Sequence, residues 1–301
     1  MIISFTDVCV SAAGGALGAA LGALLAFSMM GAVVLMTAAV AAATGSSVLV
    51  TGVALGPALG PHVTFAGGVA GAAFAARLGV QESGRDIVRP LIGHNRPLIL
   101  VVGAACGVAG MLIAQGVTSL ATVDHGDGEL VITDALAVSV VATAVLAHLL
   151  FTRRAEKAED RNSLVWLPYQ RDALQVAVVG IGASVVAGGI YLAWPQDSRS
   201  LVPVVLYGLS ALSLIGFQSG QSVPVTHHIT LPAALFAAHA ATSGTGDTGV
   251  LIMAVAGGIG AAIAAELWAR FVLQRVRTHL DPPAFAIAVA ASVLAFVQWF
   301  S

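Results

Sequence analysis

Charge is what this sequence has least of. Only 9% of its 301 residues are Asp, Glu, Lys or Arg, against about 25% in an average soluble domain. Thirteen basic and fifteen acidic residues cannot cover the surface of a soluble protein of this size. Lysine occurs once, at Lys157. A net charge of −2 leaves no basic excess, so nucleic-acid binding has no electrostatic support. Cysteine is nearly absent. Cys9 and Cys106 are the only two, which excludes a disulfide framework or a cysteine zinc site. The opening stretch from Met1 to Asp7 has no Lys or Arg. A cleavable signal peptide needs a positive start, so the first span reads as part of the mature chain.

What fills the space is apolar. Hydrophobic residues make up 58% of the chain, and the mean hydropathy is +0.93. A membrane-spanning helix needs about 20 apolar residues, and a spanning β-strand would alternate apolar and polar positions. The runs here are continuous and rich in Ala, Gly, Leu and Val. The expected fold is therefore all-α, a polytopic transmembrane helical bundle of a prokaryotic cell membrane. Ten spans are predicted, near residues 9–29, 32–58, 61–78, 97–117, 134–152, 173–194, 201–217, 223–242, 249–272 and 282–300. The second is long, and Thr44-Gly45-Ser46-Ser47 and Gly56-Pro57 interrupt it, as in a broken helix.

Arginines fall in alternate loops. Arg77, Arg85, Arg89 and Arg96 follow span three; Arg153, Arg154, Lys157, Arg161 and Arg171 follow span five; Arg270, Arg275 and Arg277 follow span nine. The positive-inside rule makes that side cytoplasmic and puts both termini outside. The loop with Asp124, Asp127, Glu129 and Asp134 falls on the outer side.

Two Ala/Gly segments look alike, residues 66–77 and 256–266, and each is followed by a His-containing loop and a proline-led span: His94-Asn95-Arg96-Pro97 and His279-Leu280-Asp281-Pro282-Pro283. This pairs span three with nine and four with ten. It predicts two parallel four-helix repeats, residues 1–117 and 201–301, joined by linking helices in residues 118–200.

Arg277-Thr278-His279-Leu280-Asp281-Pro282-Pro283-Ala284 resembles the signature loop of the HPP family. Members of that family are integral membrane proteins of four transmembrane helices, the last opening with a Leu-His-Pro-Pro-Ala type sequence. The resemblance covers about a third of the chain, mainly spans seven to ten, with Asp281 where that family has its histidine. It implies a permease with a small anion, such as nitrite, as cargo.

Helix N-termini carry free N–H groups and partial positive charge. Two proline-led helix starts brought together would hold an anion. The candidate solute-binding residues are His62, Thr64, His94, Arg96, His228 and His279, with Arg96 supplying fixed charge and the histidines supplying proton-dependent donors. His148 and His239 lie within spans, where histidines usually face a cavity or a partner. Glu266 and Arg270, four apart on one helix face, form a candidate coupling or structural ion pair. Gly14, Gly18 and Gly22, with Gly67 and Gly71 and with Gly103 and Gly107, make small-residue stripes for close helix packing within or between chains. The chain carries no Walker loop, no Gly-x-Ser-x-Gly elbow and no His-Glu-x-x-His site. Gly244-Thr245-Gly246-Asp247 lacks the second buried carboxylate that an intramembrane aspartyl protease needs. The expectation is a non-enzymatic permease for a small anionic solute, with no cofactor or metal. The partners are the lipid bilayer, that solute and, through the glycine faces, a second copy. The alternative is a non-transporting scaffold or subunit of a membrane complex.

Overall fold

The computed structural model describes residues 3–126, 128–152 and 172–300. The basic loop after span five, with Trp166, Pro168 and Tyr169, lies outside the described residues. Ten α-helices run through the described residues: α1 Phe5–Leu21, α2 Ala23–Thr44, α3 Thr64–Arg77, α4 Pro97–Ala121, α5 Ala135–Phe151, α6 Ala173–Ala193, α7 Val202–Ser213, α8 His227–Thr242, α9 Asp247–Phe271 and α10 Pro282–Trp299. A small antiparallel hairpin, β1 Thr122–His125 and β2 Gly128–Val131, links α4 to α5.

Six helical segments are long and apolar enough to cross a membrane: Ala23–Thr44, Pro97–Ala121, Ala173–Ala193, Gln196–Ser219, Asp247–Arg275 and Pro282–Trp299. Their outward faces stay apolar, with Leu98 64% and Phe296 67% exposed. A helix that is apolar all round is one solvated by lipid or buried in protein. This is a membrane protein.

Each of the ten stretches expected as a span corresponds to one of the ten α-helices, with one displaced boundary, and six helical segments have the length and apolarity to cross a membrane. The break between α1 and α2 falls at Gly22, not near residue 30. Gly22 has φ +85, and a Cβ there would meet the Arg89 carbonyl 2.7 Å away. A left-handed corner under a neighbouring loop admits glycine, and one glycine among many carries no distinct signal. The interruption after Thr44 is present as expected. Gly45 ends α2 with φ 73, a left-handed cap of the kind glycine supplies. A short π-helical turn, Val50–Ala54, follows, and irregular chain leads to α3.

Packing follows a pattern. In the first half, α1 lies on α3 and α4, α3 on α4, α5 on both α3 and α4, and α2 on α3. In the second half, α6 lies on α8 and α9, α8 on α9, α10 on both α8 and α9, and α7 on α8. Each contact in the first five helices recurs five helices later. The halves meet where α2 packs on α7 and α5 on α10. The offset is five helices, and so differs from the offset of six that the Ala/Gly segments suggested.

Sequence follows the packing. His62-Val63-Thr64-Phe65 opens α3 and His228-Ile229-Thr230-Leu231 opens α8. Asp134-Ala135-Leu136-Ala137 opens α5 and Asp281-Pro282-Pro283-Ala284 opens α10. At the α2–α7 crossing a Cβ on Gly31 would meet the Gly208 carbonyl at 2.6 Å, and one on Gly208 the Gly31 carbonyl at 3.1 Å.

The glycine stripes act within the chain. A Cβ on Gly15 would meet the Gly103 carbonyl and the Gly107 backbone, one on Gly67 the Gly15 carbonyl, and one on Gly18 the Thr64 carbonyl. The α1, α3 and α4 backbones approach so closely only because these side chains are missing.

Candidate functional site

Between the two halves lies a cavity of about 840 Å³, within the range of small-molecule sites. Its wall is mostly apolar, with Leu24, Phe27, Phe65, Val140, Leu231 and Ile287 among its members. A few polar groups converge on it: Asp134, Asp281, His227, His279, Tyr207, Arg85 and Gln274.

The two aspartates arrive by the same local logic. Asp134 precedes α5 in extended backbone, and its Oδ1 accepts the Ala137 N–H at 2.8 Å. Asp281 precedes α10 in the same way, and its Oδ2 accepts the Ala284 N–H at 2.8 Å. Each satisfies one of the orphan N–H groups of a helix start. Pro282 occupies the next position, where a missing N–H costs nothing. α5 and α10 run side by side: the Thr133 hydroxyl donates to the Ala288 carbonyl at 3.3 Å, while Thr278 meets His148 Nδ1 at 2.8 Å. The residue before the start of α5 thus contacts the interior of α10, and a residue before α10 contacts the last turn of α5, so the two helices are antiparallel and α5 begins partway along α10. Both capping carboxylates therefore face the space between the halves rather than the ends of the bundle.

Asp281 Oδ1 also lies 2.9 Å from His279 Nε2, and the His279 ring packs edge-on against Phe65, 5.9 Å between centroids. His227 is 6% exposed, and its ring lies 4.9 Å from Phe27 and 5.8 Å from Tyr207. Its Nδ1 is buried without a hydrogen bond. Phe27 in turn meets Phe65 and Tyr207, each at 5.7 Å. These rings form a continuous aromatic wall.

A loop closes one end. Arg85 donates from Nε to the Val276 carbonyl at 2.7 Å and from Nη2 to the Leu273 carbonyl at 2.6 Å. Gly84 pairs with Thr278 in a parallel bridge, and the His279 N–H donates to the Gly84 carbonyl at 3.2 Å. Gln218 and the α2 N-terminus bind the same loop through Val88 and Ile87. Arg85 therefore stitches the α3–α4 loop to the α9–α10 loop, a job that a reading of loop charge alone does not reveal.

Of the residues expected to bind solute, His279 lines the cavity. His62, Thr64 and His228 are buried at the starts of α3 and α8 and are not among the lining residues. The Thr64 hydroxyl donates to the Leu59 carbonyl at 3.0 Å, which holds the turn before α3. His94 reaches Gln81 at 3.3 Å, and Arg96 is exposed at the start of α4; neither lines the cavity. Glu266 is 1% exposed, and neither carboxylate oxygen has a hydrogen bond. His148 is taken up by Thr278 and Thr152, which is a packing role.

One family model matches residues 1–155 and matches again over residues 152–301. The chain belongs to the DUF7973 family, a family of unknown function. Each DUF7973 match takes in five helices, α1–α5 and α6–α10, and the two meet in the connection between α5 and α6. No curated protein and no solved structure matches the chain.

Sequence reading missed Asp134, His227, Arg85 and Tyr207. Asp134 stood beside Asp124, Asp127 and Glu129 and so read as part of an acidic outer loop. The signal available was its spacing to Ala137, which repeats that of Asp281 to Ala284 in this DUF7973 chain. His227 and His228 are adjacent, and adjacent helical residues face different ways. The structure turns the first of them to the cavity.

Proposed function

We propose that this protein is a permease of the cell membrane, a secondary transporter or channel-like carrier that moves a small solute through the cavity between two five-helix units. Ten helices crossing or entering the bilayer, five per unit, make up the fold in this reading. The unit pairing α1–α5 with α6–α10 replaces the four-two-four division read from the Ala/Gly segments. A unit with five crossings begins and ends on opposite sides, so a second unit that follows it directly is upside down. Inverted repeats of this kind, with discontinuous helices starting near the midplane, are the common plan of secondary transporters. Two such units with equivalent packing have two equivalent ways to rock against each other, which is what alternating access requires.

The observation that carries the reading is the pair of capped helix starts, Asp134 on α5 and Asp281 on α10, facing one cavity. Carboxylates deep in a membrane protein are costly and mark solute or ion paths. The resemblance to the HPP loop falls on this same stretch, residues 277–284. The preference for an anion has less to rest on, because the first-turn N–H that would greet an anion is already taken by a carboxylate at each start.

Leu231, half-buried on α8, lines the cavity. With Cys9 and Cys106 replaced by Ala, Leu231→Cys in reconstituted vesicles will react with a membrane-impermeant thiol reagent and lose solute counterflow upon labelling. A thiol that stays unreactive from both sides would mean a dry core and would favour the scaffold reading.

A further inference from the structure

The cavity carries an imbalance of chemistry that points to what it holds. Two carboxylates line it. Asp281 already has a partner in His279 at 2.9 Å. Asp134 accepts one backbone N–H, and among the described residues no basic side chain is paired with it. Asp134 is half-buried in the wall, and a carboxylate withdrawn from water is normally matched by a positive group. Beside the carboxylates stands a second unmet need. His227 Nδ1, on a ring that is 6% exposed and lines the cavity, has no hydrogen bond. The otherwise mostly aliphatic wall also carries the aromatic cluster of Phe27, Phe65 and Tyr207, and aromatic ring faces attract cations.

We propose that the cavity binds a small organic cation with N–H donors and an apolar body. The carboxylate of Asp134 meets the positive charge, the His227 ring nitrogen accepts one N–H, and the apolar body lies against Phe27 and Phe65. An inorganic cation would use the carboxylates but leave the aromatic wall idle. A quaternary ammonium would use the wall but leave the ring nitrogen without a donor. A carboxylate solute would face two like charges in a low-dielectric space, which costs rather than stabilises, and Arg85, the one arginine on the wall among the described residues, already spends its Nε and Nη2 on the Val276 and Leu273 carbonyls. The assignment rests on the permease reading for its biological sense, and on the cavity alone for its chemistry.

The test uses the full-length protein in detergent and benzylguanidinium, which stays charged and rich in N–H at any working pH. Its isosteres are benzylurea, which is neutral, phenylpropanoate, which is anionic, and benzyltrimethylammonium, which lacks N–H. Sodium chloride alone is the inorganic control. A ligand that binds only the folded state raises thermal stability. Benzylguanidinium is expected to raise the melting temperature dose-dependently, benzyltrimethylammonium less, and the other three not at all. Asp134→Asn keeps a capping side chain and removes the charge. It is expected to weaken binding by about tenfold or more, ~1.4 kcal/mol. Phe27→Leu, which leaves every carboxylate in place, is expected to weaken it severalfold. A shift with phenylpropanoate, an equal shift with sodium alone or with benzylurea, or no shift with benzylguanidinium overturns the proposal. Counterflow of labelled benzylguanidinium in proteoliposomes separates the two claims. Binding without counterflow would overturn the permease and leave the site standing. Counterflow of an anion with no cation binding would do the reverse.

Discussion

Asp134 and Asp281 each do two things. Each caps a helix, and each places a carboxylate in the wall of the cavity. The two roles separate by substitution. Asn at an N-cap accepts the same backbone hydrogen bond as Asp, whereas Ala does not, and the loss costs about 1 kcal/mol. Asp134→Asn and Asp281→Asn should therefore keep melting temperatures near that of the parent, while Asp134→Ala and Asp281→Ala fall by several degrees. Both Asp134 variants should weaken solute binding about tenfold or more, and the Asp281 variants should weaken it less, because Asp281 is already paired with His279. If the Asn variants kept full binding, the carboxylates would be caps and nothing more. At this scale the sequence was least legible. His279 was identified through its proline-led loop, and it does line the cavity. The same rule points to His94 and Arg96, which lie at the start of α4 and do not line the cavity. A helix start is visible in sequence; the direction it faces depends on how deep in the bundle it begins. Asp134 shows the converse, since nothing local separates a cavity-facing cap from three other acidic residues within ten positions.

Helices were far more legible than sites. Every expected span has a helix in the structure, because continuous apolar runs bounded by Pro, Asp or Gly announce themselves by composition. The glycine stripes were also readable as packing devices. What they pack against was not, because a stripe records closeness without naming the neighbour. The structure supplies the partners and a contrast between two glycines of α4. A Cβ on Gly110 would run into the His62 carbonyl, whereas one on Gly116 would meet nothing within 4 Å. The Gly110 carbonyl is moreover held by the Ser139 hydroxyl at 2.7 Å, so α4 has little room to withdraw. Gly110→Ala should destabilise by about 1–3 kcal/mol, as overpacking does. Gly116→Ala should be neutral or stabilising by up to about 1 kcal/mol, from helix propensity. Chemical or thermal denaturation of the two variants in the same detergent measures the difference. Equal effects would mean that α4 does not sit against the turn before α3.

At the scale of the molecule, the repeat is where sequence and structure diverge most instructively. Ala/Gly matches paired spans three and nine, yet the helix contacts recur with an offset of five, and the family match restarts at residue 152. Low-complexity stretches match one another in many registers, so they carry little information about ancestry. The short polar signatures at helix starts, His-Val-Thr-Phe with His-Ile-Thr-Leu and Asp-x-x-Ala with its twin, are rarer and follow the packing. With the five crossings per unit proposed above, an offset of five reverses the orientation of the second unit, and that has a consequence measurable without knowing the solute. Val140 on α5 and Ile287 on α10 hold equivalent positions, six residues beyond each capping aspartate, and both line the cavity. In an inverted pair, whatever conformation exposes one of them to one side exposes its counterpart to the other side when the units rock. Val140→Cys and Ile287→Cys, each in a background lacking Cys9 and Cys106, should therefore label from opposite faces of oriented vesicles. A ligand that favours one conformation should raise one labelling rate as it lowers the other. Parallel units would make both residues respond from the same face and in the same sense.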